Sequence, residues 1–327
     1  MATTPTSPGP LPTPVVGVDW LREAMTRDDG RPVVLDVRWT LRPPPKTAKE
    51  RKAAAREDPP GLVEHDAGHV PGAVYVDLDT ELAGPPGPAG RHPLPDPDVV
   101  EETLQRAGAG PDSEIVVYDG GDGMAAARAW WVLRWAGVRA DRVAVLDGGW
   151  PAWTAAGGDV VAGGEGVRRP GRLRVDAGQM PVLTAEAAAG IADASEGVLL
   201  DGRAAARFRG ETEPIDPVAG HVPGAASLPA ASLIDDDGRW RAPGDVAALL
   251  RPLVEGTGAV GAYCGSGVSA AMLVLGLEHA GLRAPDDPAA LYVGSWSHWC
   301  GTGRPVETGS GAERARAAEE DPGTVAP

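Results

Sequence analysis

The chain has 327 residues, 46 of them acidic and 30 basic, for a net charge of −16. Its length exceeds one small module and suits two domains of ordinary size, and its acidic balance argues against a nucleic-acid partner, whose phosphates would meet a repelling average field. Only two cysteines, Cys264 and Cys300, are present, too few for a disulfide framework or a cysteine-built metal knuckle.

In chain order, the opening MATTPTSPGPLPTPV has no cationic residue followed by an apolar run, so it does not read as a secretory signal. Residues 1–14 are expected to be a disordered tail, and so is the Pro/Gly/Ala/Glu-rich end, 308–327. The first unit, 15–160, opens with a buried strand at Val33–Val37 that carries Asp36-x-Arg38. An insertion with all three lysines, 43–60, reads as a solvated excursion. The GHVPGA turn at Gly68–Ala73 then leads into a strand at Val74–Val76. A third strand, Ile115–Tyr118, passes through a glycine-rich loop into an apolar helix stopping at Gly137, and a fourth is expected at Arg142–Leu146.

The same landmarks then recur. After a Gly- and Arg-rich linker, 161–180, the second unit (181–307) has a strand at Val198–Asp201 with Asp201-x-Arg203, and GHVPGA again at Gly220–Ala225. A strand at Ala259–Tyr263 leads into a helix from near Val268 to Gly281, and a last strand is expected at Ala289–Val293. One order of landmarks found twice means a duplicated domain. Strands alternating with helices predict an α/β fold, each half a mostly parallel sheet flanked by helices. The longest apolar stretch, Ala270 to Leu277, is closed by Glu278 and His279 and is too short for a membrane span. A soluble protein of a reducing compartment, the cytoplasm, is the expectation.

The halves differ where chemistry is expected. In open α/β sheets, sites form at the carboxyl ends of strands. There the second half has Cys264-Gly265-Ser266-Gly267-Val268-Ser269, and the first has Asp119 where Cys264 stands. Small residues let backbone N–H groups converge on one point, and a helix start adds positive potential; both favour a thiolate and would hold a persulfide. A buried structural cysteine is the alternative. His69 and His221 occur in both repeats and read as structural. Cys300 reads as a packed thiol, with a redox switch as the alternative.

These motifs resemble the tandem rhodanese-like sulfurtransferases. The likeness runs from about Val15 to Val306 and rests on Asp-x-Arg, HVPGA, RHPLP (Arg91–Pro95), YDGG, LDGGWPAW and above all CGSGVS, which is similar to the CGSGVT loop of the 3-mercaptopyruvate branch. The resemblance implies two rhodanese-like domains with only the second catalytic. It implies a Cys264 persulfide, held by Gly265, Gly267, Val268 and Ser269, and Arg207 as the group that binds the donor. It also implies a Ser266–His92–Asp79 proton relay across the two halves, with Asp77 competing for the last place. The donor implied is 3-mercaptopyruvate, with thiosulfate as alternative, and the acceptor a thiol, cyanide or a thioredoxin-like protein; no metal or organic cofactor is implied. Asp216 stands where many animal members have a second arginine, and Arg209 is the candidate to compensate. Phosphatase chemistry, which requires an arginine six positions after the cysteine, is excluded by Ala270. A non-catalytic sulfur-sensing or binding module is the remaining competitor.

Overall fold

A computed structural model describes residues 11–42, 47, 57–164 and 169–310. The first half runs β1 (Val15–Val16), α1 (Val18–Met25), β2 (Val33–Asp36), α2 (Pro60–Ala67), β3 (Ala73–Tyr75), α3 (Leu78–Glu81), α4 (Pro97–Arg106), β4 (Ile115–Tyr118), α5 (Met124–Trp135), β5 (Val143–Leu146) and α6 (Gly149–Ala155). The second runs α7 (Ala185–Asp193), β6 (Gly197–Asp201), α8 (Ala205–Phe208), β7 (Ala226–Ser227), α9 (Pro243–Val254), β8 (Ala259–Tyr263), α10 (Ala270–His279), β9 (Ala290–Leu291) and α11 (Ser295–Trp299). The sheets are ordered β1-β5-β4-β2-β3 and β7-β6-β8-β9, with every pair parallel. A parallel bridge from Val182 to Leu291 stands in the second sheet where β1 stands in the first. The aliphatic runs of β2, β4 and β5 are buried along their whole length, as strands covered on both faces require.

The repeated motifs form one buried assembly in each half. Arg38 Nη2 lies 2.6 Å from Asp36 Oδ2 and donates to the Gly68 carbonyl at 2.7 Å, while its guanidinium sits 4.7 Å from the Trp150 ring centre. Arg203 repeats this with Asp201 at 2.6 Å, the Gly220 carbonyl at 2.7 Å and Trp296 at 4.4 Å. Asp-x-Arg therefore fastens the strand end to the start of the HVPGA turn. His69 Nδ1 bonds the His65 carbonyl and His221 Nδ1 the Phe208 carbonyl, each at 2.8 Å, which fits their structural reading.

Several boundaries differ from expectation. Leu11 is buried, its N–H donates to the Asp141 carbonyl at 2.9 Å, and Val145 N–H bonds Pro14, so residues 11–14 are packed rather than a loose tail. Positions 1–10 and 311–327, and most of the 43–60 insertion, lie outside the described residues. The expected linker runs along the first half: Val161 pairs with His69, Gly171 N–H bonds the Gln105 carbonyl at 2.7 Å, and Leu173 and Met180 are buried. The second-half helix begins at Ala270, two residues later than expected.

The halves share a core. One buried cluster joins Leu35, Val117 and Trp130 of the first to Leu200, Met272 and Leu273 of the second. A buried ion pair, Arg134 to Glu278 at 2.9 Å, crosses between α5 and α10. This explains why both helices are apolar nearly all round: each is covered by its own sheet and by the other helix. Among the described residues, no helix is long and apolar enough to cross a membrane.

Candidate active site

Cys264 follows β8 directly and is 2% exposed. It nevertheless lines a cavity of about 350 Å3, so the sulfur is not sealed in hydrocarbon. Its Sγ accepts the Gly267 N–H at 3.2 Å. Gly267 has φ +81°, and a Cβ there would lie 2.5 Å from the Val293 carbonyl oxygen, so only glycine fits. The start of α11 aims the loop from behind. Cys264 N–H donates to Ser295 Oγ at 3.1 Å, Trp296 N–H to the Cys264 carbonyl at 3.0 Å, and Ser297 N–H to the Gly265 carbonyl at 2.9 Å. Ser295, which makes this possible, has φ 53°, the one positive φ of a non-glycine among the described residues. Ser266, Val268 and Ser269 join Gly265 in the cavity wall, with the N-terminus of α10 behind them.

The three relay candidates come together across the halves. Ser266 Oγ lies 2.8 Å from His92 Nδ1, and His92 Nε2 lies 3.2 Å from Asp79 Oδ1. Trp39 Nε1 donates to that same Asp79 oxygen at 3.1 Å. Asp77 is turned away as the cap of α3, accepting the Thr80 N–H at 2.9 Å. Burial pushes the His92 imidazole below its ordinary value against the opposing pull of Asp79. Burial raises Asp79, but hydrogen bonds from His92 and Trp39 more than offset it and hold the carboxyl below its usual range. His92 is therefore neutral near pH 7, with the Nε2 proton on the Asp79 side and Nδ1 free to accept from Ser266.

Two arginines outside the expected set belong to the site. Arg128, within the apolar run of α5, is fully buried and donates to the carbonyls of Leu82 at 3.2 Å and of His92, Pro93 and Gly267 at 3.3 Å each. It thereby ties the His92 segment to the Cys264 loop, and burial lowers its pKa to about 10. A charge at the middle of a helix that is otherwise apolar up to Arg134 in its last turn was the readable signal. Arg91, first residue of RHPLP, puts Nη1 2.9 Å from Asp216 Oδ1. Arg207 also lines the cavity, bound by Glu213 at 2.7 Å and Asp216 at 3.2 Å. Asp216 thus joins two arginines, one from each half, whereas Arg209 pairs with exposed Glu211 at 2.7 Å and does not compensate for anything in the cavity.

The first half fills its equivalent cradle with its own side chain. Asp119 accepts the N–H groups of Gly121 at 2.9 Å, Gly123 at 3.3 Å and Ala126 at 3.0 Å. Burial and the neighbouring Asp122 charge push its carboxyl above the ordinary range. Cys300 is half-buried 3.9 Å from the Val218 carbonyl, and burial raises its thiol to about 11, which does not favour a reactive thiolate.

A thiol that accepts a loop N–H at the end of a parallel strand and lines a cavity, in a two-sheet duplicated α/β frame, marks a group-transfer enzyme. Residues 17–156 match the rhodanese-like domain family. SseB of Mycobacterium tuberculosis, which carries a thiosulfate sulfurtransferase name, is 41% identical over 290 residues, covering 86% of this chain and 93% of its own. A Pseudomonas aeruginosa protein carrying a 3-mercaptopyruvate sulfurtransferase name is 43% identical over 269 residues, covering 78% of this chain and 90% of its own. The crystal structure of SseA from Escherichia coli, described with the rhodanese fold of 3-mercaptopyruvate enzymes, superposes with a TM-score of 0.69 at 28% identity, over 87% of this chain and 99% of that one. The chain belongs to the tandem rhodanese-like sulfurtransferases.

Proposed function

We propose that the protein moves sulfane sulfur from 3-mercaptopyruvate to a thiophilic acceptor through a persulfide on Cys264, and that the first half is a non-catalytic scaffold lending His92 and Asp79. In the first step the Cys264 thiolate attacks the donor sulfur. The carbon–sulfur bond breaks, and its electron pair leaves on carbon as pyruvate enolate. The donor thiol proton passes by way of Ser266 and His92, with Asp79 holding the imidazole, and returns to the enolate carbon to give pyruvate. The Gly267 N–H, already 3.2 Å from Sγ, supports the cysteine sulfur, and the outer one would sit in the cavity that Gly265, Ser266, Val268 and Ser269 line. In the second step an acceptor thiolate, cyanide or a thioredoxin-like protein takes the outer sulfur and restores the Cys264 thiolate. No metal or organic cofactor enters these steps, and the reduced thiols suit a cytoplasmic setting.

The observation that carries this reading is the Asp79–His92–Ser266 chain ending beside Cys264, at 3.2 and 2.8 Å. A thiol donor has a proton to move, and thiosulfate has none. Purified protein is expected to show a kcat/KM for 3-mercaptopyruvate at least about tenfold above that for thiosulfate, or about 1.4 kcal/mol of transition-state preference. Mass spectrometry should find one added sulfur atom on Cys264 after donor treatment. A thiosulfate preference overturns the donor assignment, and absence of the added sulfur overturns the persulfide. Thiosulfate is the second reading because two guanidinium groups, Arg91 and Arg207, line the cavity.

A further inference from the structure

Arg91 and Arg207 reach the cavity from different halves and converge on one point. A methyl built on Gly265, the residue after the nucleophile, would lie 3.3 Å from Arg91 Nη2 and 3.4 Å from Arg207 Nη1. Each guanidinium is held at another edge by acids. Arg207 gives Nε and Nη2 to Glu213, at 3.2 and 2.7 Å, and Nη2 also to Asp216 at 3.2 Å. Arg91 gives Nη1 to Asp216 at 2.9 Å, while its Nη2 is a long 3.5 Å from that carboxylate. Arg91 Nε is buried without a partner. Of the two nitrogens nearest Gly265, Arg207 Nη1 bonds neither Glu213 nor Asp216 and Arg91 Nη2 has only the long contact to Asp216.

We propose that Arg91 and Arg207 form a donor-anion seat across the two halves, and that Glu213 and Asp216, by cancelling its charge, make it select a singly charged donor over a dianion. Two guanidinium groups facing two carboxylates leave no net charge before the donor arrives. A carboxylate needs two directed N–H groups, which the free edges supply. A compact dianion beside a thiolate needs surplus positive charge, which the acids remove. Hydrogen bonds from Arg207 and from the Asp216 and Ile215 N–H groups outweigh burial and hold Glu213 below the ordinary carboxylate range, so its negative charge persists at neutral pH. Asp216 thereby acts as a determinant of donor choice, and Arg91 as a binding residue contributed by the half without a nucleophile.

This inference rests on the sulfurtransferase reading for its kinetics, so its test includes a measurement that needs no turnover. Asp216→Asn and Glu213→Gln each add one net positive charge, which favours a dianion more than a monoanion. Each is expected to raise the thiosulfate to 3-mercaptopyruvate ratio of kcat/KM about tenfold, through KM. Arg91→Met is expected to raise KM for both donors, thiosulfate more. Calorimetric titration with pyruvate and with sulfate should show pyruvate preferred by the unaltered protein and the preference reduced or reversed in Asp216→Asn. Ratios within twofold of the parent in both acid variants, or unchanged anion binding in Arg91→Met, overturn the proposal. Absence of sulfur transfer with normal anion binding overturns the catalytic reading and leaves the seat standing.

Discussion

Replacing His92 with alanine separates proton transfer from every other task of the site. The side chain makes two polar contacts, to Ser266 Oγ at 2.8 Å and Asp79 Oδ1 at 3.2 Å, and neither involves the Gly267 N–H that supports Cys264 Sγ. Its backbone carbonyl, which Arg128 holds at 3.3 Å, survives the change. A positioned acid–base group is worth about 100- to 10,000-fold in rate, or roughly 3–5 kcal/mol. The chain here is complete and its His92 and Ser266 are buried, so a fall in kcat of at least about 100-fold is expected with 3-mercaptopyruvate. Thiosulfate has no thiol proton, and its kcat should change less than about threefold, well under 1 kcal/mol. Ser266→Ala should lose as much as His92→Ala, and the double variant no more than either, because one broken link stops the chain. Steady-state assays of both donors with cyanide as acceptor read this directly. Equal losses with both donors would refute the reasoning, leaving His92 only a support for the loop. The pH dependence has a definite sign. Burial places the folded His92 below its ordinary 6.5, so Nδ1 stays an acceptor until the pH falls below that value. An acid limb with a midpoint under 6.5 is expected for 3-mercaptopyruvate and is expected to be missing for thiosulfate.

Two further changes test the support of the loop. Gly267→Ala puts a methyl 2.5 Å from the Val293 carbonyl oxygen at φ +81°; the left-handed conformation alone costs about 1–2 kcal/mol, and urea unfolding should show at least that loss with activity falling for both donors. Wild-type stability and rate would sink the claim that only glycine fits. Arg128→Met takes the side-chain donor from the buried carbonyls of Leu82, His92 and Gly267, while Pro93 keeps the Gly84 N–H at 3.1 Å; each group left unsatisfied costs about 1–3 kcal/mol. Relief of burying a cation offsets part of this, so a net loss of roughly 2–4 kcal/mol in urea unfolding is expected, and Arg128→Lys should recover only part, since one ammonium does not span four carbonyls. A methionine variant as stable as its parent would remove Arg128 from its bridging role.

The features readable in the chain were those set by local pattern. Continuous aliphatic runs located β4 and β8 to the residue, because a strand buried on both faces has no other composition. The second half's cysteine stood out against Asp119 because the duplication supplied its own control. By contrast β1 and β7, of two residues each, have too little pattern to register. Helix α4 is amphipathic with Asp96 as its cap, a local signal that lies outside the repeated motifs. The choice between Asp77 and Asp79 also had a local answer. Asp77 accepts the Thr80 N–H while its own N–H donates to Glu81 at 2.8 Å, so DLDTE is a helix start that occupies Asp77 and leaves Asp79 for His92.

What local pattern does not reach is the pairing of charges between the halves. Arg91 and Asp216 stand far apart in the chain, yet they meet at 2.9 Å beside Arg207. Read along the sequence, Asp216 is a lost cation. In three dimensions a cation of the other half, Arg91, stands beside Arg207, with Asp216 as the partner of both. The same holds for Arg128, whose four carbonyl acceptors come from two segments of the first half and from the Cys264 loop. The half without a nucleophile therefore supplies His92, Asp79, Arg91 and Arg128 to the surroundings of a cysteine it does not carry. The division of labour follows the two loops: Asp119 fills the amide cradle of the first half with its own carboxylate, and other loops of that half complete the surroundings of Cys264.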